Sequence, residues 1–154
     1  RHRPVFLGGE VFFLESDPYS PLTKPANTDS PVVAAYYDGG SGAVAQASGR
    51  GYTRTQRRRP DIAAPGVNVP GAVPGGRFST RTGSCAAAAV TAGAVALMLE
   101  WLVYIREVPG VDSFQLKSLL IIGASRPRTM EYPNREWGYG QLDLYNTFET
   151  MRQL

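Results

Sequence analysis

Histidine and cysteine are the scarcest reactive residues here, with one of each in 154. A lone Cys85 excludes an internal disulfide and a cysteine-based metal cluster. With His2 as the sole imidazole, the only metal ligands in supply are carboxylates, so neither a metal nor a cofactor is expected. Charge of one sign is also lacking: 16 basic and 13 acidic residues leave a net +3. A field that weak is poor support for a nucleic-acid partner. The cluster Arg54, Arg57, Arg58 and Arg59 has no interleaved aromatics and reads as a solvated basic loop. The longest largely apolar run, Cys85 to Leu99, covers 15 residues before Glu100, whereas a membrane span needs roughly 18. A buried core helix is expected there, and no membrane partner. The opening Arg1-His2-Arg3-Pro4 has neither an initiating methionine nor the apolar run of a signal peptide behind its charges, so the chain reads as a fragment.

What remains is a globular composition, 43% hydrophobic with 17 glycines and 12 prolines, suited to a loop-rich α/β protein. Residues 1–24 read as an irregular lead-in. Val11-Phe12-Phe13-Leu14 is a possible strand within it, and Pro18, Pro21 and Pro25 exclude a helix after it. Pro31 to Tyr37 is a continuous apolar run ended by Asp38-Gly39-Gly40, the pattern of a strand buried on both faces. Short strands are expected over Ala43 to Ala47, Asp61 to Val67 and Gln141 to Leu144. A long helix is expected from Ser84 to about Ile105, where four consecutive alanines begin at Ala86. A second helix should start at the capping residues Asp112 and Ser113, and a third should run through Met151. Strands alternating with helices predict an α/β fold with a largely parallel sheet.

Three segments make the reading specific. They are Arg59-Pro60-Asp61-Ile62-Ala63-Ala64-Pro65-Gly66-Val67, then Thr82-Gly83-Ser84-Cys85 running on to Gly93-Ala94, and finally Trp137-Gly138-Tyr139-Gly140-Gln141-Leu142-Asp143-Leu144. In this order they resemble the K-P-D-I-x-A-P-G, G-T-S-M-A-A-P-x-V-A-G-A and G-x-G-x-x-[ND] segments of the subtilase family of serine peptidases. The resemblance covers roughly residues 30 to 150 and implies the carboxyl-terminal half of a doubly wound, mostly parallel catalytic domain spanning 25–154. Pro25-Ala26-Asn27-Thr28 and the run Tyr132 to Gly140 are similar to clostridial spore-germination subtilases, a group with both active proteases and pseudoproteases. In that group a jelly-roll insert precedes this region, so residues 1–24 are read as the chain returning from one. The same likeness implies a bacterial secreted or spore-associated setting.

Counting assigns the nucleophile position. Cys85 follows Gly83 by two residues and precedes Gly93 by eight, the family's own separations for its serine. Ser84 then occupies the family's threonine position, and a shift to Ser84 would rotate the side chain by about 100° around the helix. Cys85 is therefore expected at the nucleophile position as a degenerate replacement. A small buried helix residue is the competing reading. The resemblance implies Asp, His and an oxyanion Asn upstream of the nucleophile, but no D-T-G or H-G-T stretch occurs here, and His2 is expected to be a solvated terminal residue. The chain is expected to be inactive alone and to pair with the amino-terminal half of its own domain. A peptide or protein is its expected substrate or ligand.

Overall fold

The computed structural model of the protein describes Tyr19, Pro21, Leu22 and residues 24–153. The strand expected at Val11–Leu14 and most of the lead-in lie outside these residues.

The buried apolar run forms β1 (Ala34–Tyr37), which pairs in parallel with β2 (Ile62–Pro65), Ala34 opposite Ile62 and Tyr37 opposite Pro65. Both are buried on two sides, as a continuous apolar pattern requires. The sheet gains a third member at a single point. Ala63 donates to the Gly140 carbonyl (2.9 Å) and accepts from the Leu142 amide (2.7 Å), a parallel bridge to Gln141. The strand expected over Gln141–Leu144 does not extend beyond such bridges. Asp143 is the reason: its carboxylate accepts from Asn146 N–H and its carbonyl from Thr147 N–H, so it caps α3 (Leu144–Gln153) at once.

The strand expected at Ala43–Ala47 is also replaced, by a turn. The Asp38 carboxylate accepts from Gly40 N–H and Ser41 Oγ, both at 2.9 Å. This folds the chain back so that only Val44 bridges Tyr37, while Ser48 Oγ takes the Tyr36 amide. Those backbone amide and hydroxyl donors hold the Asp38 carboxyl below its ordinary range.

An antiparallel hairpin, β3 (Val69–Val73) and β4 (Arg77–Arg81), was not expected. Its signal was Pro74-Gly75-Gly76 between two short runs, and both glycines adopt positive φ at the turn.

The long helix is present as α1 (Ser84–Glu100), prolonged by one wide π-helical turn, Trp101–Ile105, in which Arg106 N–H reaches the Trp101 carbonyl at 2.9 Å. It lies on β1 and β2 along Ala87, Thr91, Ala94 and Met98, the i, i+4, i+7, i+11 stripe of one helix face. The expected core helix is thus buried along one face only. Ala88, Ala89, Ala92, Gly93, Ala96 and Leu97 are exposed, and a Cβ at Gly93 would meet nothing within 4 Å among the described residues. By length and composition the 22 residues Ser84–Ile105 would also suffice to cross a bilayer, a consequence of apolar residues on every face. α2 (Ser113–Gly123) starts with a reciprocal capping box: Gln115 N–H donates to Asp112 Oδ1 (2.8 Å) and Asp112 N–H to Gln115 Oε1 (3.0 Å). It packs on α3, and Ile62, Met98, Leu102, Leu116, Leu120 and Met151 form the main core.

A buried charged cluster fastens these pieces. Asp61 is 2% exposed, Arg59 6% and Lys117 8%. The Asp61 carboxylate pairs with Arg59, accepts the Val33 amide at 2.8 Å and faces Lys117 Nζ at 3.9 Å. Arg59 also donates to the Thr28 carbonyl (2.6 Å), and Lys117 to that of Asp29. Burial pushes the Asp61 carboxyl up, against its donors, and pushes the Lys117 ammonium down.

With Asp61 raised, the folded protein takes up this proton more readily than the unfolded chain. The cluster's carboxylate therefore contributes a stability that rises as pH falls from the raised value toward the ordinary carboxylate range near about 4. In Asp61→Asn, denaturant unfolding of the intact protein should lose that pH dependence. Its neutral amide stands in for the protonated carboxyl that the raised pKa favours and should cost little at neutral pH, whereas Asp61→Ala, which strips the acceptor from Val33 N–H, Arg59 and Lys117, should be weaker by about 3–5 kcal/mol. An unchanged unfolding midpoint in Asp61→Ala would mean that the cluster is not holding β1, β2 and α2 together.

Candidate functional site

The end of β2 and the start of α1 are forced together at Gly66. Gly83 N–H donates to the Gly66 carbonyl at 2.8 Å, and a Cβ on Gly66 would stand 2.5 Å from Tyr36 Cβ and 3.0 Å from the Gly83 oxygen. No larger residue fits this crossing. A second tie follows two residues later, where Asn68 N–H donates to Thr82 Oγ1 at 2.9 Å. These contacts hold the segment Thr82–Gly83 while the β3–β4 hairpin projects between its two ends. The Gly83 carbonyl then accepts from Ala86 and Ala87, starting the helix without a side-chain cap.

Cys85 is thereby the second residue of α1, exposed at its first turn. It lines a groove of about 520 Å3 with Val69, Pro70, Gly71, Arg81, Thr82, Ala86, Ala89 and Val90. Its backbone N–H lies within the first turn, where amides have no partner inside the helix and point outward. The thiol and this amide thus stand at the mouth of an apolar groove at a helix N-terminus. Ser84, the neighbouring hydroxyl, is exposed but does not line that groove.

The other residues of a hydrolytic site are not brought here. His2 lies outside the described residues. Among the described residues no group of three or more His, Cys, Asp or Glu is placed to hold a metal ion. Arg54 and Arg58 of the basic loop are exposed, Arg57 pairs with Asp29, and Arg59 is the buried partner of Asp61. Reading that run as one solvated cluster missed Arg59, whose neighbour Pro60 and the following Asp61 were the available signal. A second cavity, about 440 Å3, lies between the end of the long helix and α2, lined by Leu102, Val108, Val111, Phe114 and Leu119 among others. Its polar members are already bonded, Asp112 and Gln115 in the capping box and Ser118 Oγ to the Phe114 carbonyl.

The third segment closes against the first. Tyr139 N–H donates to the Asp61 carbonyl at 3.0 Å, and Gly138 has φ 59° with Asp61 C where a Cβ would come within 2.8 Å. A parallel sheet with a helix entering beside a strand end, and an exposed cysteine on that helix's first turn, is the arrangement of a subtilisin-like α/β domain.

The sequence matches the Subtilase family over residues 15–140, and the chain belongs to that family. No curated protein matches it. Among solved structures, the CspB protease of Clostridium perfringens is similar at a TM-score of 0.85 and 31% identity, over 92% of this chain and 31% of that one. A mutant of the PatA protease domain is similar at 0.69 and 26% identity, over 88% and 45%. The prenylagaramide maturation protease PagA, at 24% identity and 0.65, shares the fold over 86% and 46%. The chain therefore spans less than half of each of these proteins.

Replacing Gly66 by alanine should force Tyr36 or Gly83 aside. We expect a loss of about 1–3 kcal/mol in the intact protein and a changed rate of iodoacetamide alkylation at Cys85. Wild-type stability and alkylation in Gly66→Ala would contradict the close crossing.

Proposed function

We propose that this chain is the carboxyl-terminal part of a subtilisin-like serine endopeptidase domain whose nucleophile position carries Cys85, and that it is proteolytically inactive. The observation that carries the reading is Cys85 on the first turn of α1, facing the groove. Sulfur there changes the chemistry. A thiolate leaves a tetrahedral adduct more readily than an unprotonated amine does, so attack on a peptide reverts. The larger atom also displaces the carbonyl carbon from an oxyanion hole built for oxygen, where small misplacements are costly. A nucleophile also needs a general base, and no described residue is a histidine.

A domain that keeps the fold without the chemistry is a pseudoprotease, a scaffold for binding or signalling. The Tyr132–Gly140 run, through its resemblance to clostridial spore-germination subtilases, favours that type and a spore-associated or secreted setting, and the similarity to a clostridial protease is consistent with a bacterial one. The alternative is a protease completed by Asp, His and Asn from elsewhere in the protein. Activity separates the two. Purified intact protein should turn over no peptide and should not react with a fluorophosphonate probe, and Cys85→Ser in the 154-residue chain should not restore activity. Turnover by wild-type protein that Cys85→Ala abolishes would overturn the inactive reading.

The partner of this chain is the amino-terminal half of its own domain. α1 presents small residues on its uncovered faces, and a groove of about 300 Å3 runs between Val32 and Ala34 on one side and Ala88, Ala92, Val95 and Leu99 on the other. An unpaired strand edge beside an apolar face captures other chains or aggregates. Residues 1–154 expressed alone should therefore scatter light as an associated species. A monodisperse monomer with slow amide exchange along Cys85–Ile105 would argue that no further half is needed.

A further inference from the structure

The groove beside Cys85 has a charge pattern that hydrolysis does not require. Between Val67 and Leu99 only two charged residues occur, Arg77 and Arg81, and both are cations. Cross-strand pairing sets Arg81 opposite Val69 and Arg77 opposite Val73. Side chains alternate along a strand, so Arg77, Ser79 and Arg81 share a face with Val69, Gly71 and Val73 while Phe78 and Thr80 point the other way. Phe78 is accordingly 80% exposed, and Val69, Gly71 and Arg81 line the groove. Among the described residues Arg81 makes no ion pair, and no carboxylate lines the groove with it. Set among Val69, Ala86, Ala89 and Val90, Arg81 is the one charge that the described residues place on the groove wall and is left for an incoming anion to pair with. The volume, about 520 Å3, falls within the roughly 300–1,000 Å3 of ligand clefts.

We propose that this groove binds an acidic peptide segment, with a carboxylate side chain paired to Arg81 and small apolar neighbours against Val69, Ala89 and Val90. The proposal rests on reading the Cys85 groove as the peptide-facing side of the domain. It does not depend on whether the domain cleaves what it binds. Arg77 lies four residues along the same strand face, about 13 Å away at 3.3 Å per residue, and stays outside the groove.

The test uses the intact protein carrying Cys85→Ala, which separates binding from chemistry, and three fluorescein-labelled peptides that share an alanine-valine frame and differ at one central residue, Glu, Gln or Lys. Fluorescence polarisation should rank Glu tightest, about two- to five-fold ahead of Gln, with Lys weakest, and added salt should narrow the gap. Arg81→Glu should reverse the order, whereas Arg77→Glu should preserve it. Because both arginines are exposed, thermal unfolding of each variant should match the parent, and Arg81→Lys should retain the order at a smaller ratio. Equal affinity for Glu and Gln, no binding of any of the three, or an acid preference that survives Arg81→Glu would overturn the proposal. Peptide turnover by the wild-type protein with Glu still favoured would leave it standing and would sink only the inactive reading.

Discussion

Asp61 is the residue on which the rest of the arrangement depends. Its carboxylate takes the Val33 amide at the entry to β1 and pairs with Arg59, and it draws Lys117 of α2 toward the sheet. Its backbone carbonyl accepts Tyr139 N–H from the closing segment. A single aspartate thus joins the first strand, the second strand, a helix and the final turn. Such a residue cannot leave water cheaply. Its raised pKa records that cost, offset by a backbone amide and two cations. Arg59 and Lys117 each donate further, to the carbonyls of Thr28 and Asp29, so the same cluster ties in the segment that precedes β1.

From that anchor, geometry passes to the groove along a short path. β2 runs four residues from Ile62 to Pro65, and its end meets the helix start through the Gly66–Gly83 hydrogen bond. Because Gly66 carries no side chain, the helix N-terminus sits closer to the sheet there than a Cβ would allow. Every residue between these points, β3 and β4 included, loops outward and returns, and the hairpin register then sets which residues overlook Cys85. The site is in this sense a by-product of one close backbone crossing.

Some of this was legible in the residues. The capping box at Asp112 and Gln115 and the buried run ending at Tyr37 follow from local chemistry, so they are present as expected. The long helix follows from its alanines, though only one of its faces is covered here. The strands expected at Ala43–Ala47 and Gln141–Leu144 are absent because Asp38 and Asp143 offer the backbone a turn and a helix cap in place of a ladder. Propensity along a short run does not weigh such competition. The hairpin β3–β4 escaped notice because Val69–Val73 and Arg77–Arg81 are short and lack a strong alternating pattern, leaving the Pro-Gly-Gly turn as their sole mark.

The order and spacing of the three segments were enough, by themselves, to determine the subtilase family, since close backbone approaches demand glycine at Gly66 and Gly138, a positive φ favours it at Gly83, and those residues stand at readable intervals. Spacing likewise is what puts Cys85 forward for the register of the family's serine, the assignment proposed above. The tertiary structure alone decided that Arg59 is a buried ion-pair partner while Arg54 and Arg58 are solvated, although all three lie in one basic run. It also decided that Arg81 shares a groove with Cys85. Both outcomes depend on which strand lies beside which helix, and that is set by contacts between residues far apart in the chain.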